Sequence, residues 1–276
     1  MGIKEKREQM CRSSISLKIS GKEEYKPGKT RFGGRPDVPF DFNWPVFEEK
    51  DCDGVVKIVP LTFLVQFNCE ELVPYDTEHL LPDHGLLSFF YDTEGQPWGF
   101  NPDDAGGARV FWFEDSSVLR EADYPADMKE DIKLPAFHME IEQKNSFPDW
   151  EDFSEIYSCD EEEFELLQME TEAEEQEKTK LLGWPDIIQD SMAVECELIA
   201  KGYYLGGSWE NIPKTVWQQA KATALDKWYL LFQLDTMEES DFSMTFGDCG
   251  RIYFYIPRED LLERRFEHVW AILQCE

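Results

Sequence analysis

The segment LTFLVQFN at residues 61–68 is the most informative part of the chain, because its pattern returns near the end as YLLFQLD at residues 229–235. Each segment is a run of apolar residues broken by a glutamine, with a polar residue two places after it. Each is followed by an aromatic strand that a glycine opens, GLLSFFYD from Gly85 and GRIYFYIP from Gly250. The early and late parts of the chain therefore share one pattern of strands.

The spacing within the two copies is also similar. Gln66 precedes its glycine by 19 residues, and Gln233 precedes its own by 17. A double glycine lies upstream of each copy, at residues 33–34 and 206–207. Such spacing in different flanking sequence indicates a duplicated supersecondary unit. We therefore expect an internally duplicated α+β fold, in which two related antiparallel-sheet units with flanking helices pack around a shared core.

The duplication predicts one compact domain in four segments, because 276 residues suffice for two small units that seal one core. The segments are an N-terminal helix or extension, a first repeat unit, an acidic connector and a second repeat unit, at residues 1–30, 31–148, 149–180 and 181–276. Aromatic and β-branched residues predict strands at 58–67, 85–91, 109–113, 137–141, 228–234, 251–256 and after Val269. Helices are predicted at 160–177 and 188–199, and after Pro213 and Pro257.

Composition limits the classes of partner. The apolar fraction of 42%, with 9 Trp and 20 Phe, is enough to bury a core, so the chain is folded. The formal charge of −31 argues against binding to nucleic acid or to an anionic membrane, because contacts with phosphate groups need cationic side chains. A basic protein partner is compatible with this charge.

Cysteine usage and hydropathy indicate a cytoplasmic protein. The 7 cysteines are scattered and form no CxxC pair, which argues against a disulfide framework or a zinc knuckle and for a reducing compartment. The start of the chain, MGIKEKREQMCRSS, has charges but no apolar centre, unlike a signal peptide. No apolar run approaches the ~20 residues of a membrane span.

The acidic stretch at residues 149–177 holds 14 Asp and Glu residues and no Lys or Arg. One interpretation is a solvated helix face or a disordered insert, because blocks of like charge repel. The other is a docking element for a basic partner, with apolar side chains that anchor the partner or attach the stretch to its own domain. These side chains are Phe153, Ile156, Tyr157, Phe164, Leu166 and Leu167.

Catalytic and metal-binding motifs are missing from the sequence. It contains no GxSxG elbow, P-loop, GxGxxG or HExxH motif. His79 and His84 form the one close histidine pair, in an acidic loop that resembles an exposed loop more than a metal site. We therefore expect no metal, no cofactor and no catalytic residue.

Five polar residues are the candidates for a ligand site. Gln66 and Gln233 either hydrogen-bond irregular backbone beside their strands, or face a cleft between the repeats. In the second case Asn68, Asp235 and Asp248 would line the same pocket. Asp248 lies in FGDCG, where aspartate is usually a turn former, and its alternative role is an acid/base group.

Six motifs in a fixed order resemble the YwqG-like family of uncharacterised bacterial cytosolic proteins. They are GGRPDVP with a following WP, FLVQFN, LPDHGLLSFFYD, LGWPDIIQ, LLFQLD and FGDCGRIYFYI. The matching positions are Gly34, Pro36, Trp44, Pro45, Gln66, Gly85, Gly183, Pro185, Gln189, Gln233, Gly247, Asp248 and Gly250. The resemblance covers most of the chain from about Phe32 onward and implies a duplicated α+β fold, without a known reaction. The acidic stretch is longer than the family requires.

Three functions remain open from the sequence. The leading hypothesis is a non-enzymatic cytosolic protein-binding module, of the immunity or scaffold type, whose acidic surface recruits a basic partner. The first alternative is a small-ligand-binding protein that uses the cleft between the repeats. The second is a hydrolase or transferase with Asp248 as acid/base.

Overall fold

The computed structural model describes residues 2–22, 25–50, 54–157, 160–172, 177–239 and 242–276. The helices in this part of the chain are α1 (Ile3–Gln9), α2 (Cys69–Leu72), α3 (Trp150–Ile156), α4 (Glu161–Glu172), α5 (Met192–Ala200), α6 (Lys214–Lys227) and α7 (Arg258–Leu262). The strands are β1 (Arg12–Lys22), β2 (Arg31–Phe32), β3 (Asp37–Val38), β4 (Val46–Lys50), β5 (Val56–Pro60), β6 (Thr62–Asn68), β7 (Leu86–Tyr91), β8 (Ala108–Phe113), β9 (Arg120–Glu121), β10 (Phe137–Ser146), β11 (Lys180–Leu181), β12 (Trp228–Asp235), β13 (Met237–Glu239), β14 (Phe242–Met244), β15 (Arg251–Pro257) and β16 (Trp270–Gln274).

Ten strands form one large sheet in the order β16-β15-β12-β11-β1-β10-β2-β6-β7-β8. Neighbouring strands in this sheet run antiparallel, and so do the small pairs β3–β9, β4–β5 and β13–β14. The prediction of a mixed helix-and-sheet protein with antiparallel strands is confirmed at this level.

The sheet is nearly closed, because the segment between β7 and β8 reaches the far edge strand β16. Leu273 N donates to Trp98 O over 3.0 Å, and Trp270 Nε1 donates to Gly99 O over 2.9 Å. Gly99 has φ +80°, and a Cβ on it would lie 2.0 Å from Ala271 O. Only glycine permits this approach of the two backbones.

Aromatic rings from both ends of the sheet meet in one core. Phe67 and Phe89 come from β6 and β7, and Phe232 and Phe254 from β12 and β15. Phe89 and Phe232 have ring centroids 4.9 Å apart, and Phe89 and Phe254 are 5.2 Å apart. All four side chains are fully buried. Because burial of such a side chain stabilises the fold by about 1.5–3 kcal/mol, the two ends of the sheet depend on each other.

β1 and β10 form the centre of the sheet and join its two sides. β1 pairs with β11, from the later part of the chain, and β10 pairs with β2, from the earlier part. β1 lies in the segment 1–30, for which the sequence predicts a helix or extension. The segment holds helix α1 and also strand β1, in which Ile15 and Leu17 are buried and Ile19 is partly buried.

Strands and helices are observed at the predicted places of the described chain with shifted bounds, and residues 173–176 of the predicted helix 160–177 lie outside the described residues. The predicted strand 58–67 is divided into β5 and β6, which leave Leu61 between them. The predicted helix 188–199 begins only at Met192, because the backbone before it bonds to side chains. Ile188 N and Gln189 N both donate to Gln274 Oε1 over 3.1 Å. A terminal strand after Val269 is observed as β16.

Helix α5 carries a carboxyl group into the interior. Its residues from Met192 to Ile199 are all buried, and Glu195 is among them with 4% exposure. Glu195 Oε2 has no hydrogen-bond partner in the described part of the chain. Burial raises the pKa of Glu195 to about 8, and the charge of Asp190 adds to this effect. The side chain is therefore protonated in the folded protein at neutral pH.

We expect neither part of the chain to fold alone when it is divided after β10. Fragment 147–276 keeps β11, β12, β15 and β16 but loses the central strands, and fragment 1–146 exposes the aromatic face that the other part covers. The measurement is thermal unfolding followed by circular dichroism for each fragment and for both refolded together. Cooperative unfolding of fragment 147–276 by itself would contradict this dependence.

We expect Glu195→Gln to stabilise the protein by about 2 kcal/mol or more at pH 8, with a smaller effect at pH 5. The folded pKa lies above the ordinary value of 4.5, so stability that is present at low pH is lost as the pH rises towards about 8. Glutamine does not titrate and avoids this loss. Urea unfolding at both pH values measures the effect, with exposed Glu267→Gln as control. Equal pH dependence in Glu195→Gln and in the unchanged protein would disprove the assignment.

Candidate functional site

Gln66 on β6 is fully buried and hydrogen-bonds the irregular backbone on both sides of β2. Its Oε1 accepts from Asp37 N over 2.9 Å, and its Nε2 donates to Lys29 O over 2.9 Å and to Asp37 Oδ2 over 2.7 Å. Arg31 Nη1 lies 3.0 Å from Asp37 Oδ2, and the Tyr25 hydroxyl donates to Oδ1 over 2.8 Å. The amide is thus fully used within the protein.

Gln233 on β12 is also fully buried and makes the same three kinds of hydrogen bond. Its Oε1 accepts from Asp186 N over 3.0 Å, and its Nε2 donates to Lys178 O over 2.6 Å and to Asp186 Oδ2 over 2.9 Å. Lys180 Nζ lies 2.5 Å from Asp186 Oδ2. The Tyr253 hydroxyl donates to Asp186 O over 2.6 Å.

The Asp37 side chain is buried and that of Asp186 is 15% exposed, yet both carboxyl groups have a lowered pKa. Burial alone would raise the pKa of Asp37, but hydrogen bonding from Gln66 and the charge of Arg31 hold it below its ordinary value. Burial would also raise the pKa of Asp186, but the charges of Lys180 and Lys178 lower it to about 2. Each glutamine therefore supports a buried ion pair.

The backbone around the two aspartates also matches. Gly33 N donates to Leu64 O over 2.7 Å, and Leu182 N donates to Leu231 O over 3.2 Å. Residues 33–34 have φ angles of 61° and 71°, and residues 182–183 have 59° and 80°. The counterpart of the first double glycine in these contacts is therefore 182–183, not the pair 206–207 that the sequence spacing favours.

Asn68 and Asp235, two places after the glutamines, have local structural contacts. Asn68 N donates to Thr30 Oγ1 over 2.9 Å, and Asp235 N donates to Thr179 Oγ1 over 3.2 Å. The Asn68 side chain accepts from the first turn of α2 and caps it. Asp235 Oδ1 lies 2.9 Å from Arg251 Nε. Burial raises the pKa of Asp235, and the Arg251 charge opposes this effect.

Asp248 is exposed in the turn at residues 247–249. The turn is held by a neighbouring side chain, because Gly247 N donates to Gln96 Oε1 and Gln96 Nε2 donates to Thr245 O, both over 2.9 Å. Cys249 has φ +58°. Of the five candidate residues, the two glutamines thus lie inside separate hydrogen-bonded clusters, and Asp248 lies at the surface. These contacts favour the structural interpretation of the glutamines.

The first part of the acidic stretch belongs to the fold. Phe153 on α3 is fully buried, and Asp152 has 2% exposure and accepts from Ser191 Oγ over 2.5 Å. Asp149 Oδ2 accepts from Ile187 N over 2.9 Å. Burial raises the pKa of Asp152 to about 7 and that of Asp149 to about 6. Helix α3 is therefore a structural element and not a removable docking segment.

Helix α4, by contrast, presents an open face. Phe164 packs on Trp150 with ring centroids 4.5 Å apart, and Leu167 is buried. Leu166 and Met169 point away from these contacts, with 55% and 68% exposure. Exposed carboxylates flank them at Glu161, Glu162 and Glu165. The outer face of α4 is thus both apolar and acidic.

A second acidic feature is a cavity of about 690 Å³ beside β4 and the turns after β7. Its charged lining residues are Glu48, Glu49, Asp92, Asp103, Asp104 and Arg109. Burial raises the pKa of both Asp92 and Asp104. No motif in the sequence predicts this site, although the glycine-containing acidic turns DTEGQP and NPDDAGG contribute to its lining.

These features define a mixed helix-and-sheet protein with a large, nearly closed antiparallel sheet. The chain belongs to the DUF1963 family, described as a domain of unknown function, which it matches over residues 30–275. No match to a curated protein was found. Among the described residues, no helix is long and apolar enough to cross a membrane, and no group of three His, Cys, Asp or Glu side chains is arranged to hold a metal ion.

We expect Gln66→Leu and Gln233→Leu each to destabilise the protein by roughly 1 to 3 kcal/mol, because each orphans a buried aspartate N–H and a lysine carbonyl. Chemical unfolding measures the loss. The matched control is Gln219→Leu, at an exposed position of α6, which should unfold within about 0.5 kcal/mol of the unchanged protein. Buried-site variants as stable as this control would show that the amides do not support the fold.

Proposed function

We propose that this chain is a non-enzymatic protein-binding module, of the immunity or scaffold type, whose acidic surface binds a basic partner in the cytosol. The observation that carries the proposal is the outer face of α4, where Leu166 and Met169 are exposed among carboxylates. Apolar side chains three places apart share one helix face, and such a face is a common anchor for a partner.

Electrostatics supports a basic partner over an acidic or neutral one. The chain has a formal charge of −31, and a field of one sign attracts partners of the opposite sign and speeds their encounter. The acidic residues of α4 stand around the apolar pair and exclude acidic competitors by like-charge repulsion. Charge would select the partner, and burial of Leu166 and Met169 would supply affinity.

We also propose that the chain is an internal duplication, as the YwqG-like resemblance implies. The support is that KTRFGGRPD at residues 29–37 and KTKLLGWPD at residues 178–186 make equivalent contacts with Gln66 and Gln233. Each segment supplies a lysine carbonyl, a threonine hydroxyl and an aspartate to its glutamine strand. Duplication of one ancestral unit explains these matched contacts more simply than independent origin of the two segments.

The test is capture of a partner by immobilised protein from native cytosol at 0.1 M and ~1 M salt, where the Debye length falls from about 10 to about 3 Å. We expect a basic protein to be captured at low salt only. Two variants of α4 should each reduce capture about tenfold. Leu166→Ala with Met169→Ala removes the apolar anchor, and the triple Gln substitution of Glu161, Glu162 and Glu165 removes charge.

The matched control replaces three exposed glutamates elsewhere with Gln, at Glu114, Glu140 and Glu267. It changes net charge equally and should retain capture. Thermal unfolding of all variants should be unchanged, because none of the substituted side chains is buried. The proposal fails if the control loses capture as strongly as the α4 variants, if capture is independent of salt, or if no basic protein is captured.

A further inference from the structure

The acidic cavity holds a buried carboxylate oxygen that the protein leaves without a partner. Asp92 follows β7 and has 2% exposure. Its Oδ1 accepts from Glu94 N and Gly95 N, each over 3.1 Å, as in a tight turn. Its Oδ2 has no hydrogen-bond partner among the residues that the structure describes. Buried polar atoms nearly always have a hydrogen-bond partner, so this oxygen is an open acceptor that a ligand can use.

A second carboxylate borders the same space. A Cβ on Gly95 would lie 2.5 Å from Asp92 Oδ2 and 3.4 Å from Glu49 Oε1. Both oxygens therefore border the gap beside the bare Cα of Gly95. The charge of Glu49 is one of the causes that raise the pKa of Asp92, with burial the largest. An added cation in this gap would relieve both effects.

Two of the described lysines contact other carboxylate oxygens around this gap. Lys57 Nζ lies 3.9 Å from the other oxygen of Glu49, and Lys129 contacts Glu94. Arg109 is exposed at the rim, where its Nη1 donates to the carbonyl of the preceding residue. The five carboxylates of the lining thus exceed its one guanidinium by four charges.

The chemistry of the lining favours an organic cation over a metal ion. In the described ranges no three His, Cys, Asp or Glu side chains converge as a metal site, whereas Ca²⁺ takes 6–8 oxygen ligands. A primary ammonium group has three N–H donors and needs fewer, more widely spaced acceptors. The volume of about 690 Å³ admits a small molecule and not only an ion.

We propose that this cavity binds a small aliphatic amine, with a primary ammonium group held between Asp92 Oδ2 and Glu49 Oε1 beside Gly95. Asp103 and Asp104 line the same cavity and offer a place for a second ammonium group, so a diamine fits the lining better than a monoamine. Asp104 is oriented by Gly99 N, which donates to its Oδ2 over 2.9 Å. The site is independent of α4 and of the proposed protein partner.

The experiment titrates 1,4-diaminobutane into the full chain by calorimetry at low salt. We expect binding that Asp92→Asn weakens at least about tenfold, because the amide keeps the Oδ1 acceptor of the turn and replaces Oδ2 by a donor. Gly95→Ala should also weaken binding, because its methyl group fills the gap without a change of charge. Asp226→Asn, at an exposed position outside the cavity, is the matched control and should bind like the unchanged protein.

Two further probes and the α4 variants separate the possible sources of the signal. Tetramethylammonium has the charge but no N–H donor and should bind at least about tenfold more weakly. Nα-acetyl-lysine amide tests whether the ammonium group can belong to a lysine side chain of another protein. If the ligand is a free diamine, 1,4-diaminobutane should bind more tightly than Nα-acetyl-lysine amide. The α4 variants should bind the diamine normally, so failure of the protein-partner proposal would leave this one standing.

Thermal unfolding of each variant shows whether it is folded. The inference is overturned if 1,4-diaminobutane does not bind at millimolar concentration, if Asp92→Asn folds and binds it equally well, or if tetramethylammonium binds as tightly. Displacement of the diamine by equimolar Ca²⁺ or Mg²⁺ would assign the cavity to a metal ion and would also overturn it.

Discussion

The pairing of β1 with β10 is the interaction on which the rest of the sheet depends. Without these two strands the sheet separates into β2-β6-β7-β8 and β11-β12-β15-β16. Each piece would end at a strand of only two residues, β2 or β11, which offers few backbone hydrogen bonds. β1 and β10 pair along most of their length and lie beside these short strands on either side. The shared aromatic core follows from this closure, because it brings β7 towards β12 and β15.

The buried glutamines hydrogen-bond backbone groups that the two short strands leave without a strand partner. Before and after β2 and β11 the backbone is irregular, so its N–H and C=O groups lack the regular partners of a ladder. Gln66 and Gln233 supply an acceptor and two donors at these places. The aspartate in each cluster has its charge balanced by Arg31 or Lys180. A buried charge without such a partner would cost several kcal/mol, so each ion pair and its glutamine form one unit.

Much of the architecture follows from the sequence, because aromatic runs such as LLSFFY and RIYFYI are typical of buried strands. The repeated glutamine was also a usable signal, and its structural interpretation agrees with the contacts in both clusters. β1 was harder to predict, since its alternation is short and lies among charges, and its central position comes from long-range pairing. Helix α3 is part of the fold because Asp152 and Phe153 are buried. The many acidic residues around them suggest an exposed segment instead. The cavity at Asp92 joins β4 with two later turns, and no local pattern shows that these segments meet.

The acidic charge acts at two different ranges. Carboxylates on the outer face of α4 are exposed, so salt screens their attraction for any cationic group over a distance of about 10 Å at 0.1 M. Asp92 is shielded from water, and a charge in such a place interacts more strongly and is screened less. The protein has raised pKa values where carboxyl groups are buried without a cation, at Asp92 and Glu195, and lowered values where a cation is close, at Asp186. Glu195 lies within an apolar helix and is relieved by a proton, whereas Asp92 faces a cavity that a larger cation can enter. Glu195 and Asp92 therefore differ in their access to a cavity, and this difference makes Asp92 the carboxyl group suited to bind a ligand.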